Sequence, residues 1–208
     1  MIELNPNSTA VVAIDLHRGH IDPEVATLPL PAERCAPLIE RAGALFGQLR
    51  ALDVPIVHVV SEYRNATELL SNPFWKAIHD DPTKARRGAA GHNILGNPGC
   101  EVIPELLDDS DLVVHGKKRY SSFFATDLRF LLDRHLGADT VILCGVNTTS
   151  CVLCAAFEAT NLDYRVVVAS DACDSMDGAE AHDFALKLIS NIAGWPMTNA
   201  GILEAFGE

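Results

Sequence analysis

No apolar run in this 208-residue sequence reaches the roughly 20 residues a membrane-spanning helix needs. The start, MIELNPNSTA, also lacks the basic stretch and apolar core of a leader peptide, so a cytoplasmic location is expected. Basic residues are the minority: 16 Lys and Arg against 28 Asp and Glu give a formal charge of -12 and a pI near 5.0. No compact Lys/Arg run with interleaved aromatics offsets that charge, which would repel a phosphate backbone, so nucleic acid is not an expected partner. No GxGxxG or phosphate-loop pattern follows any apolar run, and a nucleotide-binding reading has nothing to rest on. The six cysteines have no framework spacing, which favours reduced thiols over structural disulfides. Repeats, low-complexity segments and breaks in composition are missing too. A single domain over residues 1–208 is expected.

What is present is an alternation of strand-like and helix-like stretches. TAVVAID (9–15), PIVHVVS (55–61), DLVVH (111–115), TVILCG (140–145) and YRVVVAS (164–170) are apolar runs of strand length, and PMTN (196–199) adds a short sixth. Between them, residues 33–52, a stretch beginning near Thr126, the Ala-rich CVLCAAFEAT and residues 178–193 have helical spacing, and AGILEAF closes the chain as a helix. This alternation predicts an α/β fold: a three-layer αβα sandwich with a six-stranded, mostly parallel sheet. From Tyr63 to about Gly99 the pattern is irregular, with Pro73, Pro82, Pro98 and the exposed-looking pair Arg86 and Arg87. Loops of this length serve as lids or subunit contacts, and a homo-oligomer, dimer or tetramer, is expected.

In an open parallel sheet, ligands sit beyond the carboxyl ends of the strands. Asp15 closes the first strand, Lys117 and Lys118 follow the third, and Cys151 follows the fourth. In VILCGVNTTSC the strand breaks at Gly145, and NTTS supplies capping side chains that place Cys151 at a helix N-terminus. Helix dipole and unpaired N–H groups there would lower the thiol pKa. A carboxylate can take the thiol proton, an ammonium can hold the thiolate, and the thiolate can attack a carbonyl. The competing readings are a buried small hydrophobe for Cys151, a turn or cap for Asp15 and a solvated lysine.

AVVAIDLH, GKKRYSSFFATDL, VILCGVNTTSCVLCAAFEA and YRVVVASDAC, in that order across nearly the whole chain, resemble the isochorismatase-like cysteine hydrolases. This family includes nicotinamidase, N-carbamoylsarcosine amidase, maleamate amidase, biuret hydrolase and isochorismatase itself. The resemblance implies a six-stranded αβα sandwich and a triad of Asp15, Lys117 and Cys151. It also implies a cis peptide between Val146 and Asn147, with the N–H groups of Asn147 and Cys151 forming an oxyanion hole. Lys117 rather than Lys118 matches, because the family lysine lies two residues before the Arg119-Tyr120-Ser121 segment. Neighbouring extended residues face opposite ways, so only one lysine can reach the site. The activity implied is hydrolysis of a small amide or carbamoyl compound through a cysteine thioester. Vinyl ether hydrolysis of the isochorismatase type is the alternative, and a dithiol oxidoreductase using Cys151 and Cys154 is the rival from another class. The rival leaves Asp15 and Lys117 unexplained.

Departures from the family pattern bear on the substrate. Where many members carry Asp-Met-Gln-Asn-Asp-Phe, this chain has Asp15, Leu16, His17, Arg18, Gly19 and His20, so His20 replaces the usual aromatic wall and suggests a more polar substrate. Tyr63, Trp75 and Phe123 are the other expected walls, with Arg64 or Arg119 available to a substrate carboxylate. The Asp-x-His metal signature of nicotinamidases is replaced by Ser61, Glu62, Tyr63 and Arg64. His17 and His20, with Asp15 and Asp22, could form a different cluster, but loop histidines are usually solvated or hydrogen-bonded. No metal and no other cofactor is expected.

Overall fold

In the computed structural model, which describes residues 2–84, 86 and 88–207, six parallel strands form one sheet in the order β3-β2-β1-β4-β5-β6. The strands are β1 (Thr9–Ile14), β2 (Ile56–Ser61), β3 (Leu112–Lys117), β4 (Thr140–Val146), β5 (Arg165–Asp174) and β6 (Trp195–Met197). Every residue of β1, β2 and β4 is buried, which is why their sequences are unbroken apolar runs rather than alternating ones. β3 is half-exposed and β6 is three residues long; these are the sheet edges, and a short or partly polar edge resists pairing with another chain.

The helices are α1 (Arg18–Ile21), α2 (Ala32–Ala51), α3 (Ala66–Leu70), α4 (Pro73–Asp80), α5 (Leu128–Phe130), α6 (Leu153–Asn161), α7 (Ala179–Ile192) and α8 (Asn199–Phe206). Helix α2 buries Cys35, Leu38, Ala42, Leu45, Phe46 and Leu49, the i, i+3, i+4 stripe of a helix lying on a sheet. It packs against β5 and α8, while α6 and α7 pack on one another and on β5. Connections to parallel strands are right-handed, and the chain steps outward from β1 to β2 but in the opposite direction from β4 to β5. α2 and α6 therefore cover opposite faces.

Several boundaries differ from the sequence expectation. β3 runs on through Gly116, so Lys117 is its last residue and not a loop residue. β5 extends to Asp174, with a register shift opposite β4 between Leu143 and Gly145. The helix expected near Thr126 starts at Leu128 and continues as a π-helical segment, Leu131–Leu136. Residues 63–99, irregular in pattern, hold α3, α4 and two 3-10 turns.

Strand order reverses between β1 and β4. At that boundary the backbones come very close: a Cβ on Gly145, whose φ is 112°, would lie 2.0 Å from the carbonyl oxygen of Ile14. Only glycine fits there. The crevice this creates lies between the residues that follow β1 and those that follow β4.

Candidate functional site

Asp15, Lys117 and Cys151 meet in that crevice. Asp15 is held just past β1 with φ 52°, and its backbone N–H donates to the Val59 carbonyl of β2. The Lys117 ammonium is 2.6 Å from Asp15 Oδ2, 3.2 Å from Cys151 Sγ and 3.0 Å from Ser61 Oγ. Ser61, the last residue of β2, gives both its backbone N–H and its hydroxyl to Asp15 Oδ1, at 3.0 and 2.7 Å. The exposure of Asp15 and Lys117 is 0% and 1%. Ser61 is a site residue that the sequence reading passed over, although it ends a strand at the same sheet edge and pairs in register with Lys117.

Lys118 turns away, as alternation along a strand requires. Its ammonium reaches the Glu62 carbonyl and the Glu68 carboxylate and lies over the Tyr63 ring.

Charge distribution follows from this packing. Burial alone would push the Asp15 carboxyl up, but the Lys117 ammonium beside it holds it well below the ordinary 3.8. Burial likewise works against the Lys117 charge, and the negative charge of Asp15 more than reverses this, raising its pKa above the usual lysine range. The pair is ionised. Cys151 behaves differently from expectation: burial is the largest effect and Asp15 adds to it, so that despite Lys117 the thiol is pushed up to about 12. The lowered pKa expected from a helix N-terminus is therefore corrected. Cys151 lies in a π-helical turn, Thr148–Val152, ahead of α6, and is 6% exposed. The NTTS side chains do not cap that turn either. Asn147 Oδ1 accepts from the Met176 N–H, Thr148 Oγ1 donates to the Asp174 carbonyl, and Thr149 Oγ1 donates to Asp177. They fasten the turn to the end of β5.

The peptide between Val146 and Asn147 is cis. Asn147 and Cys151 line a cavity in which the centre of a water-sized sphere can move through about 60 Å³. Of the expected walls, His20, Tyr63, Trp75 and Arg119 line it. Tyr63 is buried, and burial raises its phenol pKa. Trp75 packs edge-on against Tyr120, with the Arg119 guanidinium over its ring at 5.1 Å. Two expected residues stand elsewhere. The Arg64 side chain is 76% exposed and pairs with Glu68 four residues on, and Phe123 packs in the core against Tyr164. Leu28, Leu69, Ile78, Ala89, Tyr120 and Ser150 also line it, as do Arg86 and His92. Arg86 is not an exposed cation, since it pairs with Asp177 at 2.8 Å; Arg87 lies outside the described residues. Ser150 lines this space, and its hydroxyl is buried without a hydrogen-bond partner. Cys154 lies in a separate surface groove with Phe124 and Glu158.

His17 and His20 are buried rather than solvated, and a third histidine, His92, joins them from the irregular segment. Burial, reinforced by the neighbouring His17, lowers the His20 pKa to about 3, and burial with His20 lowers that of His92. Both rings are neutral. The nicotinamidase-type ligand pair does not fit this chain: Ser61 occupies that region with its hydroxyl committed to Asp15 and Lys117, and the Tyr63 hydroxyl reaches the Lys118 carbonyl.

A cysteine, a carboxylate and an ammonium thus meet at the switch point of a parallel sheet, where α/β proteins of the open-sheet class bind their ligands. Residues 9–201 match the Isochorismatase domain family, and the chain belongs to that family of hydrolases. It is 33% identical over 190 residues to the isochorismatase family protein YecD of Escherichia coli O157:H7, covering 91% of each chain. It is 26% identical over 196 residues to the maleamate amidohydrolase of Pseudomonas putida, covering 94% of this chain and 85% of that one. Its fold is that of a cysteine hydrolase from Pseudomonas syringae pv. phaseolicola 1448A, with a TM-score of 0.80 at 22% identity over 100% of this chain and 96% of that one. Amidohydrolases are thus among its relatives. No helix among the described residues is long and apolar enough to cross a membrane.

Proposed function

We propose that the chain hydrolyses a small amide or carbamoyl compound through a thioester on Cys151. The observation that carries this reading is the Lys117 ammonium lying between the Asp15 carboxylate and the Cys151 sulfur. In the free enzyme the proton stays on sulfur, so the thiolate forms as it attacks. Asp15 takes the proton while Sγ bonds to the substrate carbonyl carbon, and the carbonyl π pair moves to oxygen. The N–H groups of Asn147 and Cys151 hold that oxyanion. When the carbonyl re-forms, the C–N bond breaks, and the nitrogen leaves with the proton from Asp15. Water then gives a proton to Asp15 and attacks the thioester carbon; as the C–S bond breaks, the acid is released and the Cys151 sulfur takes that proton back from Asp15. Lys117 keeps Asp15 ionised between steps and is not itself deprotonated. The small cavity suits a substrate of few heavy atoms, and the relationship to a maleamate amidohydrolase supports an amide.

A screen of small amides and ureides for ammonia release identifies the substrate. During turnover, acid-quenched samples are expected to carry the acyl mass on Cys151. Cys151→Ala is expected to abolish turnover, and Cys154→Ala to keep most of it. Near wild-type turnover by Cys151→Ala, with isochorismate as the best substrate, would overturn the amidase reading. Equal loss in both variants, with disulfide reductase activity in the wild type, would point to dithiol chemistry instead.

A further inference from the structure

His17, His20 and His92 are brought together from two distant parts of the chain, and the mechanism above uses none of them. Their ring centroids lie 4.9 Å (His17 to His20), 4.6 Å (His20 to His92) and 5.7 Å (His17 to His92) apart. One ring nitrogen from each lies within 4.8 Å of the other two. All three side chains are buried.

Their hydrogen bonds run outward. His20 Nδ1 is 2.6 Å from the Leu28 carbonyl oxygen, which can only accept, so the proton is on Nδ1 and Nε2 carries a lone pair. His92 Nδ1 is 2.9 Å from the Thr27 hydroxyl, which can donate or accept. His17 Nε2 is 3.5 Å from Asp15 Oδ1 and 2.9 Å from the Asn93 amide nitrogen, the contact an ion would compete with. Thr27 and Leu28 are themselves anchored, both backbone N–H groups donating to the Gly19 carbonyl within α1. A His20 imidazole orientated through Nδ1, with ring nitrogens of His17 and His92 gathered beside it, is arranged as metal ligands are. Simple ring packing would not need the nitrogens.

We propose that His17, His20 and His92 bind one divalent transition-metal ion of the zinc class beside the Cys151 cavity. His20 and His92 line that cavity, so the remaining coordination positions would open onto it, towards a water or a polar group of the substrate. Three imidazoles suit Zn²⁺, Co²⁺ or Ni²⁺, whereas Mg²⁺ and Ca²⁺ need oxygen ligands. Closing from the present separation to metal–nitrogen bonds of about 2.0–2.1 Å requires the rings to draw inward. The proposal does not rest on the amidase reading, since binding is measured without turnover.

The experiment uses full-length protein dialysed against a chelator and then titrated with Co²⁺ and Zn²⁺, followed by calorimetry and visible absorption. One equivalent is expected to bind, with the d–d absorption of a Co²⁺ ion of low coordination number. His20→Ala and His92→Ala are each expected to weaken binding at least about tenfold. His20→Phe and His92→Phe keep a ring in the stack and serve where an alanine variant misfolds. Cys151→Ala is expected to bind as the wild type does. Absence of saturable binding at micromolar metal, binding unchanged in both phenylalanine variants, or binding lost with Cys151→Ala would each overturn the proposal; the last would place the ion on the thiol.

Discussion

At the scale of single residues, the site is governed by what burial does to each charge. Asp15 and Lys117 stay ionised because each compensates the other, but Cys151 has no cation of its own, since the ammonium beside it is already paired with Asp15. A buried thiol facing a shared cation stays protonated. Reaction of Cys151 with iodoacetamide in the free protein is therefore expected to lack an inflection between pH 6 and 9 and to climb towards about 12. The rate is followed by peptide mass mapping so that the other thiols do not interfere. A titration midpoint near pH 7 at Cys151 would mean that a thiolate is preformed, and that attack does not wait for Asp15.

At the scale of elements, what the sequence made legible were the long periodic stretches and the strand ends. The apolar runs at 9–15 and 55–61 have the length and β-branched content of buried strands, the stripe through residues 33–52 has the helical period, and all three lie within a residue of the observed bounds. Asp15, Lys117 and Cys151 could be placed at one sheet edge for the same reason. His92 and Ser150 could not, because their positions are set by contacts across the chain that leave no local period. Arg64 was misplaced because Glu68, one helical turn on, holds it outside. Gly145 belongs to this scale too, since it lets β4 approach β1. Gly145→Ala would combine a left-handed backbone cost of about 1–3 kcal/mol with a clash against the Ile14 carbonyl, and a loss of about 3 kcal/mol or more with disabled catalysis is expected. Gly47, within α2 and with nothing near its Cβ position, is the control: Gly47→Ala should stabilise by about 0.5–1 kcal/mol. Urea unfolding distinguishes the two, and a harmless Gly145→Ala would show that the switch point tolerates a side chain.

At the scale of the whole molecule, α2, β2 and the loop entering β3 are fastened by one carboxylate well away from the cavity. Asp111 accepts from Arg50 of α2 at 2.6 and 3.1 Å, from His58 of β2 at 3.0 Å and from the Asp108 backbone N–H at 3.0 Å. Its side chain is 1% exposed. Burial raises its pKa, but the hydrogen bonds from His58 and Arg50 outweigh burial and bring it to about 2, below the unfolded value of 3.8. Because the folded pKa is the lower one, the contribution is fully present above pH 3.8 and is lost as pH falls through about 2. At about 1.4 kcal/mol per unit, the gap corresponds to roughly 2 kcal/mol. Asp111→Asn should therefore lower stability by about 2 kcal/mol or more at neutral pH, with kcat/KM nearly unchanged because no cavity residue moves. The difference between variant and wild type should narrow below pH 3.8 as the wild-type carboxylate takes up its proton. Thermal unfolding of both proteins across pH 2.5 to 7 checks this. A stability difference that stays constant with pH would mean that Asp111 acts by shape alone and that its charge contributes nothing.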